Sequence, residues 1–451
     1  MGIPCYFSQL CRRHKAVIVK YRGEKAANFC LDSNSIVYDA VRDIKYDPTD
    51  QGYEAALIAA VCARIDAYVA QVAPTRLFIA FDGVPPMAKM KQQRERRYKA
   101  MNEKREGWET VQITPGTTFM RKLDAAVHAH FEPQRSQFEW LRISTSDEPG
   151  EGEHKIFEWL RTNPGGATFV YGLDSDLIIL ALHHLQYGSI KLLREDFNKE
   201  KGLQLLDAGM LAGQIKALMG ADKVADYVFL TLFLGNDFMP HFPSLNLRTR
   251  GLDILLATYK SVVGAAEHLF DGKTLYWPVV QRFLAALARR ESGDVAREYA
   301  DRNRPVENTP ENTPMLRREL EHYINPPYAG WEDRYYSALL KVELAPQSSA
   351  QLCDSFFDIL TWNVQYYTTG CPNWDLYYPH MYPPLLRDLA KHRYVPRPAP
   401  PTRPKSSTEL LKFVLPAQCA HYSAEKYVPE VHKPQAYWAF CTFMWEAHLL
   451  F

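Results

Sequence analysis

Short apolar runs alternate with longer amphipathic segments over the first 250 residues of this 451-residue chain. The predicted strands are Asn28–Leu31, Arg76–Phe81, Trp140–Ile143, Thr168–Tyr171 and Ile190–Leu193, with helical segments between them. Strands that alternate with helices favour a parallel sheet, because each helix carries the chain back across the sheet. The rhythm therefore predicts an α/β fold with a mostly parallel central sheet and helices on both faces.

Acidic residues follow three of these predicted strands. Asp32 and Asp82 come directly after the first two strands, and Asp174 lies three residues beyond the fourth. Asp237 follows a predicted helix over Val224–Leu234. Ligands of parallel sheets bind beyond the carboxyl ends of the strands. Chance rarely places a carboxylate at each of these ends, so we predict a functional site at this edge of the sheet.

Two doubled carboxylates, Glu151-Gly-Glu153 and Asp174-Ser-Asp176, lie at predicted strand-to-helix junctions. The candidate metal-binding and catalytic set is therefore Asp32, Asp82, Glu151, Glu153, Asp174, Asp176 and Asp237. Acids packed in one cleft repel one another, and Mg²⁺ or Mn²⁺ makes such a cluster tolerable. Two-metal phosphodiester hydrolysis needs about this many carboxylates. The alternative, that an acid caps a helix or lies on the surface, stays open for each one singly and is disfavoured for all of them together.

A basic segment begins just after Asp82. Between Met87 and Arg105 it has eight basic and two acidic residues, although the net charge of the whole chain is only +1. Four residues share one helical face by their spacing, namely Lys89, Gln93, Arg96 and Arg97. Such a face suits a terminal phosphate, which Arg and Lys bind by charge-assisted contacts. A solvated basic face is the alternative, and the residues alone leave both open.

His154 and Lys155 directly follow the second doubled acid pair in the predicted helix. A lone helical histidine more often packs or supports a site than binds a metal, so we favour that role for His154. Lys155 is expected to neutralise the acids or to contact the substrate backbone.

Composition excludes several classes of protein. The eight cysteines include no C-x-x-C pair, which disfavours a zinc site or a disulfide framework. No run of 18 apolar residues occurs, and the N-terminus lacks the apolar core of a signal peptide, so secretion and membrane spanning are disfavoured. We expect a monomer in a reducing compartment, cytoplasmic or nuclear.

The chain changes character near Arg289. The stretch to Pro314 is polar and contains a short tandem repeat, so we interpret it as an exposed linker or long loop. Residues 315–451 are rich in tyrosine and tryptophan, which predicts a mainly helical second region that packs against the first, with a few rings exposed to stack on bases. The predicted divisions are a nuclease core over 1–250, a helical connection and linker over 251–314, and the second region over 315–451.

Several longer motifs occur in a fixed order along the chain. They are Met1-Gly2-Ile3-Pro4, Leu31-Asp32-Ser33-Asn34, Phe81-Asp82-Gly83-Val84-Pro85, Gln92-Gln93-Arg94 with Arg96-Arg97, Pro149-Gly150-Glu151-Gly152-Glu153-His154-Lys155-Ile156, Leu173-Asp174-Ser175-Asp176-Leu177 and Gly235-Asn236-Asp237-Phe238, followed later by Trp331-Glu332-Asp333, Trp374 and Trp445-Glu446-Ala447. In these residues the chain resembles the XRN family of 5′→3′ exoribonucleases. The resemblance covers most of the chain outside the Arg289–Pro314 stretch.

The resemblance implies a nuclease core of the PIN or flap-nuclease type and two Mg²⁺ or Mn²⁺ ions held by the seven acids. It further implies that Lys89, Gln93, Arg96 and Arg97 bind a 5′-monophosphate on single-stranded RNA. Trp374 matches the family tryptophan that stacks on a base at the 5′ end, with an ordinary core tryptophan as the alternative. We therefore predict a metal-dependent 5′→3′ exoribonuclease that releases 5′-nucleotides stepwise.

The chain departs from the family at Tyr38, where the usual residue is a stacking histidine. Another ring keeps stacking feasible but removes a titratable group. The additional small domains of the long cytoplasmic members are not matched, so we do not expect their processivity on structured RNA or their partner docking. Two rival functions remain: a flap-type or DNA-directed 5′ nuclease on the same core, and an RNA-binding or assembly protein without turnover.

Overall fold

The structure is a computed structural model that describes residues 2–3, 5–102, 107–196, 202–343, 345–397 and 400–451. Some predicted features fall outside these ranges. Met1 and Pro4 of the first motif, and Lys104 and Arg105 of the basic segment, are not among the described residues.

The central sheet contains seven strands among the described residues. All strands, including a separate two-stranded pair, are β1 Ile18–Lys20, β2 Asn28–Asp32, β3 Arg76–Ala80, β4 Trp140–Ser144, β5 Ala167–Tyr171, β6 Ser189–Glu195, β7 Leu203–Asp207, β8 Gln435–Tyr437 and β9 His448–Leu450. The order across the central sheet is β1-β7-β6-β5-β2-β3-β4. The five strands from β6 to β4 are parallel, and β7 and β1 are antiparallel additions at one edge. The prediction of a mostly parallel sheet is confirmed.

Helices cover both faces of this sheet, as predicted. Those of the first 250 residues are α1 Tyr6–Arg13, α2 Asn34–Asp43, α3 Tyr53–Val72, α4 Met87–Asn102, α5 Thr118–Phe131, α6 Gly152–Thr162, α7 Asp176–His184, α8 Ala208–Met219 and α9 Val224–Leu232. Alternate strand residues point to opposite faces. Phe29 and Leu31 accordingly pack with α2, α3 and α5, whereas Cys30 packs with α6, α7 and α8.

One helix in the described part of the chain, α3, has the length and the mean hydropathy, 1.5, of a membrane-crossing segment. The contacts of α3 within the protein explain its apolar composition without a membrane. Leu57, Val61 and Ile65 lie in the core beside the sheet, and Arg64 pairs with Asp43 at 2.6 Å. These contacts place α3 in the helix layer of the sheet.

The second half of the chain is mainly helical and aromatic, as predicted. Its helices are α10 Gly251–Val262, α11 Trp277–Ala288, α12 Glu291–Asp301, α13 Thr313–Leu316, α14 Glu319–Ile324, α15 Trp331–Tyr335, α16 Pro346–Thr368, α17 Leu386–Lys391 and α18 Ser407–Val414. The long helix α16 packs against α7, and one hydrophobic core contains residues of the sheet, α11, α16 and α17. The division of the chain at residues 250 and 314 stays a prediction.

The interpretation of Arg289–Pro314 as an exposed linker or loop is wrong for its first half, which forms α12. Val295 is fully buried there, and Glu291 is buried as well. The Glu291 carboxylate accepts hydrogen bonds from the backbone N–H groups of Leu386 and Arg387 at 2.7 and 3.0 Å. Polar composition was misleading because the acids of this helix are buried with partners rather than solvated.

Candidate active site

Three carboxylates lie together at the carboxyl edge of adjacent parallel strands. Asp32 ends β2, Asp82 follows β3, and Asp174 follows β5, which pairs with β2 on its other side. Strand order reverses between β5 and β2, and such a switch point opens a crevice for ligands. Burial raises the pKa of Asp32 well above its usual value, and the charges of Asp82 and Asp174 add to the effect. The predicted convergence of these three acids is therefore present.

Helix ends supply the other four predicted acids. Glu151 precedes α6, Glu153 lies in its first turn, Asp176 begins α7, and Asp237 follows α9. Glu151, Glu153 and Asp176 are each less than 5% exposed. Acidic side chains at the N-terminus of a helix are stabilised by its dipole, which offsets part of the cost of their burial.

The acid cluster carries unbalanced negative charge. Burial raises the pKa of Glu153 and of Asp176 well above the ordinary values, and Asp174 adds to the rise in both cases. Among the described residues, no hydrogen bond of ordinary geometry reaches Oε2 of Glu153 or either carboxylate oxygen of Asp176. Buried carboxylate oxygens without donors are sites where a cation would lower the free energy.

Lys89 lies inside this acid cluster. Its Nζ is 2.5 Å from Oε2 of Glu151 and 2.7 Å from Oδ2 of Asp237. Burial opposes the charge of Lys89, but these two acids together with Glu153 and Asp174 hold its pKa well above the usual value. Lys89 therefore neutralises part of the cluster here, and its predicted phosphate contact stays a prediction.

The other three predicted phosphate-binding residues differ in which of their polar atoms already have hydrogen-bond partners. Arg97 is buried and donates from Nε to Thr114 Oγ1 and from Nη2 to the Ile113 carbonyl, both at 3.0 Å. Gln93 is buried, and its Oε1 has no partner among the described residues. Within the same part of the chain no hydrogen bond or ion pair engages Arg96. Arg96 is thus the predicted phosphate ligand with an uncommitted guanidinium.

The two predicted stacking residues flank α4. Tyr38 of α2 is half-buried beside Arg97; burial lowers the pKa of this arginine, and the Tyr38 hydroxyl raises it in part. Trp374 is half-buried at the start of α4, where its carbonyl accepts from Met87 N–H at 2.8 Å. The backbone N–H of Trp374 donates to Thr402 Oγ1 at 2.8 Å. Stacking on bases stays a prediction for both rings.

Two residues that hold the acids in place were not singled out from the sequence as site residues. Asn34 donates from Nδ2 to Asp82 Oδ2 at 2.7 Å and accepts from the Asp82 N–H at 3.1 Å. Tyr366 of α16 donates its hydroxyl to Glu151 Oε1 at 2.8 Å. Asn34 lies in the same motif as Asp32, and this proximity could have indicated its role from the sequence. Tyr366 is 215 residues from its partner Glu151, and no sequence pattern indicated its role.

His154 and Lys155 both face inward. The His154 ring stacks on Tyr366 with centroids 3.6 Å apart, and burial together with the charge of Lys89 holds its pKa well below the usual value. Lys155 donates from Nζ to the carbonyls of Phe81 and Thr145, at 2.9 and 3.1 Å, which ties the ends of β3 and β4 together. Its expected contact with substrate has no support in this geometry.

Gly2 contacts the acids at a position that a side chain could not share. Its φ of +50° is left-handed, and a Cβ there would lie 2.2 Å from Oδ1 of Asp176. Glycine is the residue that adopts this conformation without a steric penalty. Gly2 of the first motif therefore lies at the site.

A pair of hard divalent cations fits the chemistry of this donor set, since all the donors are carboxylate oxygens and several lack partners. In the arrangement of the described residues, however, no three acidic, histidine or cysteine side chains have the spacing of a metal site. The ammonium of Lys89 takes part of the space between Glu151 and Asp237. Binding of metal would therefore shift some of these side chains.

Comparison with known proteins identifies two family models that together span most of the chain. The model described as XRN 5′-3′ exonuclease N-terminus matches residues 1–107 and 99–196. The model described as Xrn1 helical domain matches residues 221–325 and 319–436.

Curated relatives agree with these matches. The 5′-3′ exoribonuclease 2 of Eremothecium gossypii is 30% identical over 68% of this chain and 43% of its own length. The 5′-3′ exoribonuclease 2 homolog of Drosophila melanogaster is 24% identical over 97% of this chain and 66% of its own length. The chain thus spans less than two thirds of either relative.

Among solved structures, the T5 D15 protein co-crystallised with metal ions aligns with 60% of this chain and 94% of its own, at 9% identity and a TM-score of 0.31. That score is too low to relate the two folds. The two family models and the exoribonuclease relatives agree, and the chain belongs to the XRN family of 5′→3′ exoribonucleases.

Proposed function

We propose that this protein is a metal-dependent 5′→3′ exoribonuclease that acts on single-stranded RNA with a 5′-monophosphate. The observation that carries the proposal is the cluster of seven acids, of which Glu151, Glu153 and Asp176 are buried, together with the uncommitted guanidinium of Arg96. A phosphodiesterase needs a strongly anionic site to hold cations and a separate cationic group to bind the terminal phosphate. The proposal is supported by Arg96 of α4 and Asp237 of the acid cluster lining the same cavity.

In the proposed reaction, water adds to the phosphorus between the first and second nucleotides, and the 3′-oxygen of the first nucleotide leaves. Two Mg²⁺ or Mn²⁺ ions, when bound, would activate the water and stabilise that leaving oxygen. The seven acids would hold the ions, Gln93 and Arg96 would bind the terminal phosphate, and Tyr38 and Trp374 would support the first base. The shortened RNA again has a 5′-monophosphate, which permits stepwise degradation.

The second region favours an exonuclease over a flap-type endonuclease. Tyr366 of α16 bonds to Glu151, and Trp374 bonds to the first residue of α4, so the second region closes one side of the acid cluster. A strand without an end could not be threaded past such a closure. DNA-directed cleavage stays an outcome of the test.

The acid assignment is tested by the double substitution Asp174→Ala with Asp176→Ala. We expect hydrolysis of a 5′-monophosphorylated RNA in Mg²⁺ to fall by about 100-fold or more, because removal of a single group that stabilises transition-state charge costs about 100- to 1,000-fold in rate. RNA binding in Ca²⁺ should persist, since Arg96 is retained. The matched control is Asp47→Ala with Asp50→Ala, two exposed acids outside the cluster of seven. Undiminished hydrolysis in the site variant would refute the assignment.

A further inference from the structure

A cavity of about 520 Å³ lies next to the acid cluster, between α4, the loop after α9 and residues 440–448. It shares Gly2 and Asp237 with the cluster but contains neither proposed stacking residue, Tyr38 or Trp374. Cavities of about 300 to 1,000 Å³ hold small organic ligands. This one is large enough for a single nucleotide.

The helix α4 presents different residues to the acid cluster and to the cavity. Lys89 and Arg97 face the acids and Tyr38, whereas Lys91 and Lys99 line the cavity. At 3.6 residues per turn, these two faces are roughly half a turn apart. Arg96 lies at the boundary and lines the cavity. Its uncommitted guanidinium is thus accessible from the cavity.

Two residues that line the cavity have polar atoms without partners in the described part of the chain. Gln92 Oε1, an acceptor, and Asn236 Nδ2, a donor, are buried, and each lacks a partner among the described residues. Buried polar atoms of native proteins nearly always have partners, so an orphan in a cavity wall indicates a ligand or water. One donor and one acceptor together suit a base edge or a ribose.

An aromatic platform forms the outer wall of the cavity. The rings of Phe443 and Trp445 are stacked with centroids 4.4 Å apart and 5° between their planes. Trp445 is 61% exposed, so its outer face is open. The Arg248 guanidinium lies 5.1 Å from the Phe443 centroid and pairs with Glu446, which fixes the platform. Bases stack on such rings irrespective of sequence.

We propose that this cavity binds the nucleoside 5′-monophosphate that the reaction releases, with its phosphate on Arg96 and its base on Trp445. The inference rests on the proposed function, because a 5′-monophosphate is the product of that reaction. Asp237 and Gly2 connect the two sites directly, so the product has a short path between them. The cavity fits one nucleotide rather than a strand, and occupancy by product would slow the next turnover.

Binding of 5′-AMP to the full chain in EDTA, measured by calorimetry, tests the proposal without any turnover. We expect Trp445→Ala to weaken 5′-AMP binding about fivefold or more, which corresponds to the loss of one base stack, and Trp445→Phe to retain most of it. The matched control is Tyr328→Ala, an aromatic residue of the second region that is 66% exposed and outside the cavity lining. It should bind 5′-AMP like the unaltered protein.

Absence of 5′-AMP binding, or an affinity that Trp445→Ala leaves unchanged, would overturn the proposal. Binding of a 5′-hydroxyl oligonucleotide is measured in the same way. If Trp445→Ala weakens binding of this oligonucleotide but not of 5′-AMP, the aromatic platform binds an RNA strand, and the proposal is also overturned. Binding of 5′-AMP is measured without metal and needs no turnover. A protein that does not hydrolyse RNA but still binds 5′-AMP through Trp445 would therefore contradict the proposed function and leave the binding proposal intact.

Discussion

At the scale of single residues, the site depends on carboxylates whose burial is only partly compensated. Each unit by which a pKa shifts is worth about 1.4 kcal/mol of differential interaction, so a cluster of acids with raised pKa values stores unfavourable free energy. Hydrogen bonds from neutral donors reduce this cost and fix the orientation of each carboxylate. Within the described ranges, the side chains of Tyr366 and Asn34 donate in this way, and the Gly152 N–H donates to Asp82 Oδ1 at 2.7 Å.

Removal of the Tyr366 hydroxyl should weaken metal binding more than it weakens the fold. We expect Tyr366→Phe to lower Mn²⁺ affinity by roughly 10-fold. A residue that hydrogen-bonds to a metal-binding side chain, and so fixes its orientation, typically contributes about this much to metal affinity. Titration of Mn²⁺ by calorimetry measures the change. The same substitution at Tyr335, a buried tyrosine that donates to the Pro383 carbonyl at 2.9 Å, is the control and should leave Mn²⁺ affinity unaltered. Equal affinities of the two variants would contradict a role for Tyr366 in the site.

At the scale of elements, α4 connects the acid cluster, the cavity and the second region. Sequence spacing correctly grouped Lys89, Gln93, Arg96 and Arg97 on one face, but it could not tell which cations turn inward. Lys89 bonds to acids and Arg97 to the Thr114 hydroxyl because both lie against buried acceptors from distant segments. A run of charges in a sequence does not reveal such partners.

Lys91 of α4 gives a prediction about pH. Its ammonium donates to the carbonyls of Tyr378 and His380 at 2.9 and 3.0 Å, and burial lowers its pKa to about 8. In the unfolded chain the pKa of lysine is about 10.4. Between these values the unfolded chain binds a proton that the folded protein does not, so this group makes stability rise with pH in that window.

The measurement compares the free energy of unfolding of the protein with that of Lys91→Met, from urea titrations between about pH 7 and pH 10. We expect the unaltered protein to gain stability relative to the variant as pH rises through this interval. Lys122→Met, at an exposed lysine that pairs with Glu54, is the control for replacement of a lysine by methionine. A difference that stays constant or falls for Lys91→Met would refute the lowered pKa.

At the scale of the whole molecule, much of the architecture followed from local patterns. All five predicted strands are present, because each is rich in apolar residues that are buried in the core, even where a polar residue such as Arg142 interrupts the run. The strands β1 and β7 were missed, since β1 has only three residues and both strands are partly exposed. Tyr366 and the buried acids of α12 were also missed, because their partners are far away in sequence.

The closed second region also explains why activity should depend on a free 5′ end. Helix α16 packs against α7, one core joins both halves of the chain, and Trp374 bonds to the start of α4. In the proposed function, an RNA would enter by its end, and Arg96 of α4 would bind the terminal phosphate. The protein would then degrade RNA from a 5′-monophosphate.

The most direct measurement is a time course on one RNA sequence prepared with a 5′-monophosphate, a 5′-hydroxyl or a 5′-triphosphate, and as a circle, in Mg²⁺ and in EDTA. Only the 5′-monophosphorylated linear RNA should disappear, only in Mg²⁺, with release of 5′-mononucleotides from the first residue onward. Arg96→Ala should reduce the preference for the monophosphate over the hydroxyl. Cleavage of the circle, or equal rates on all three linear ends, would contradict the account.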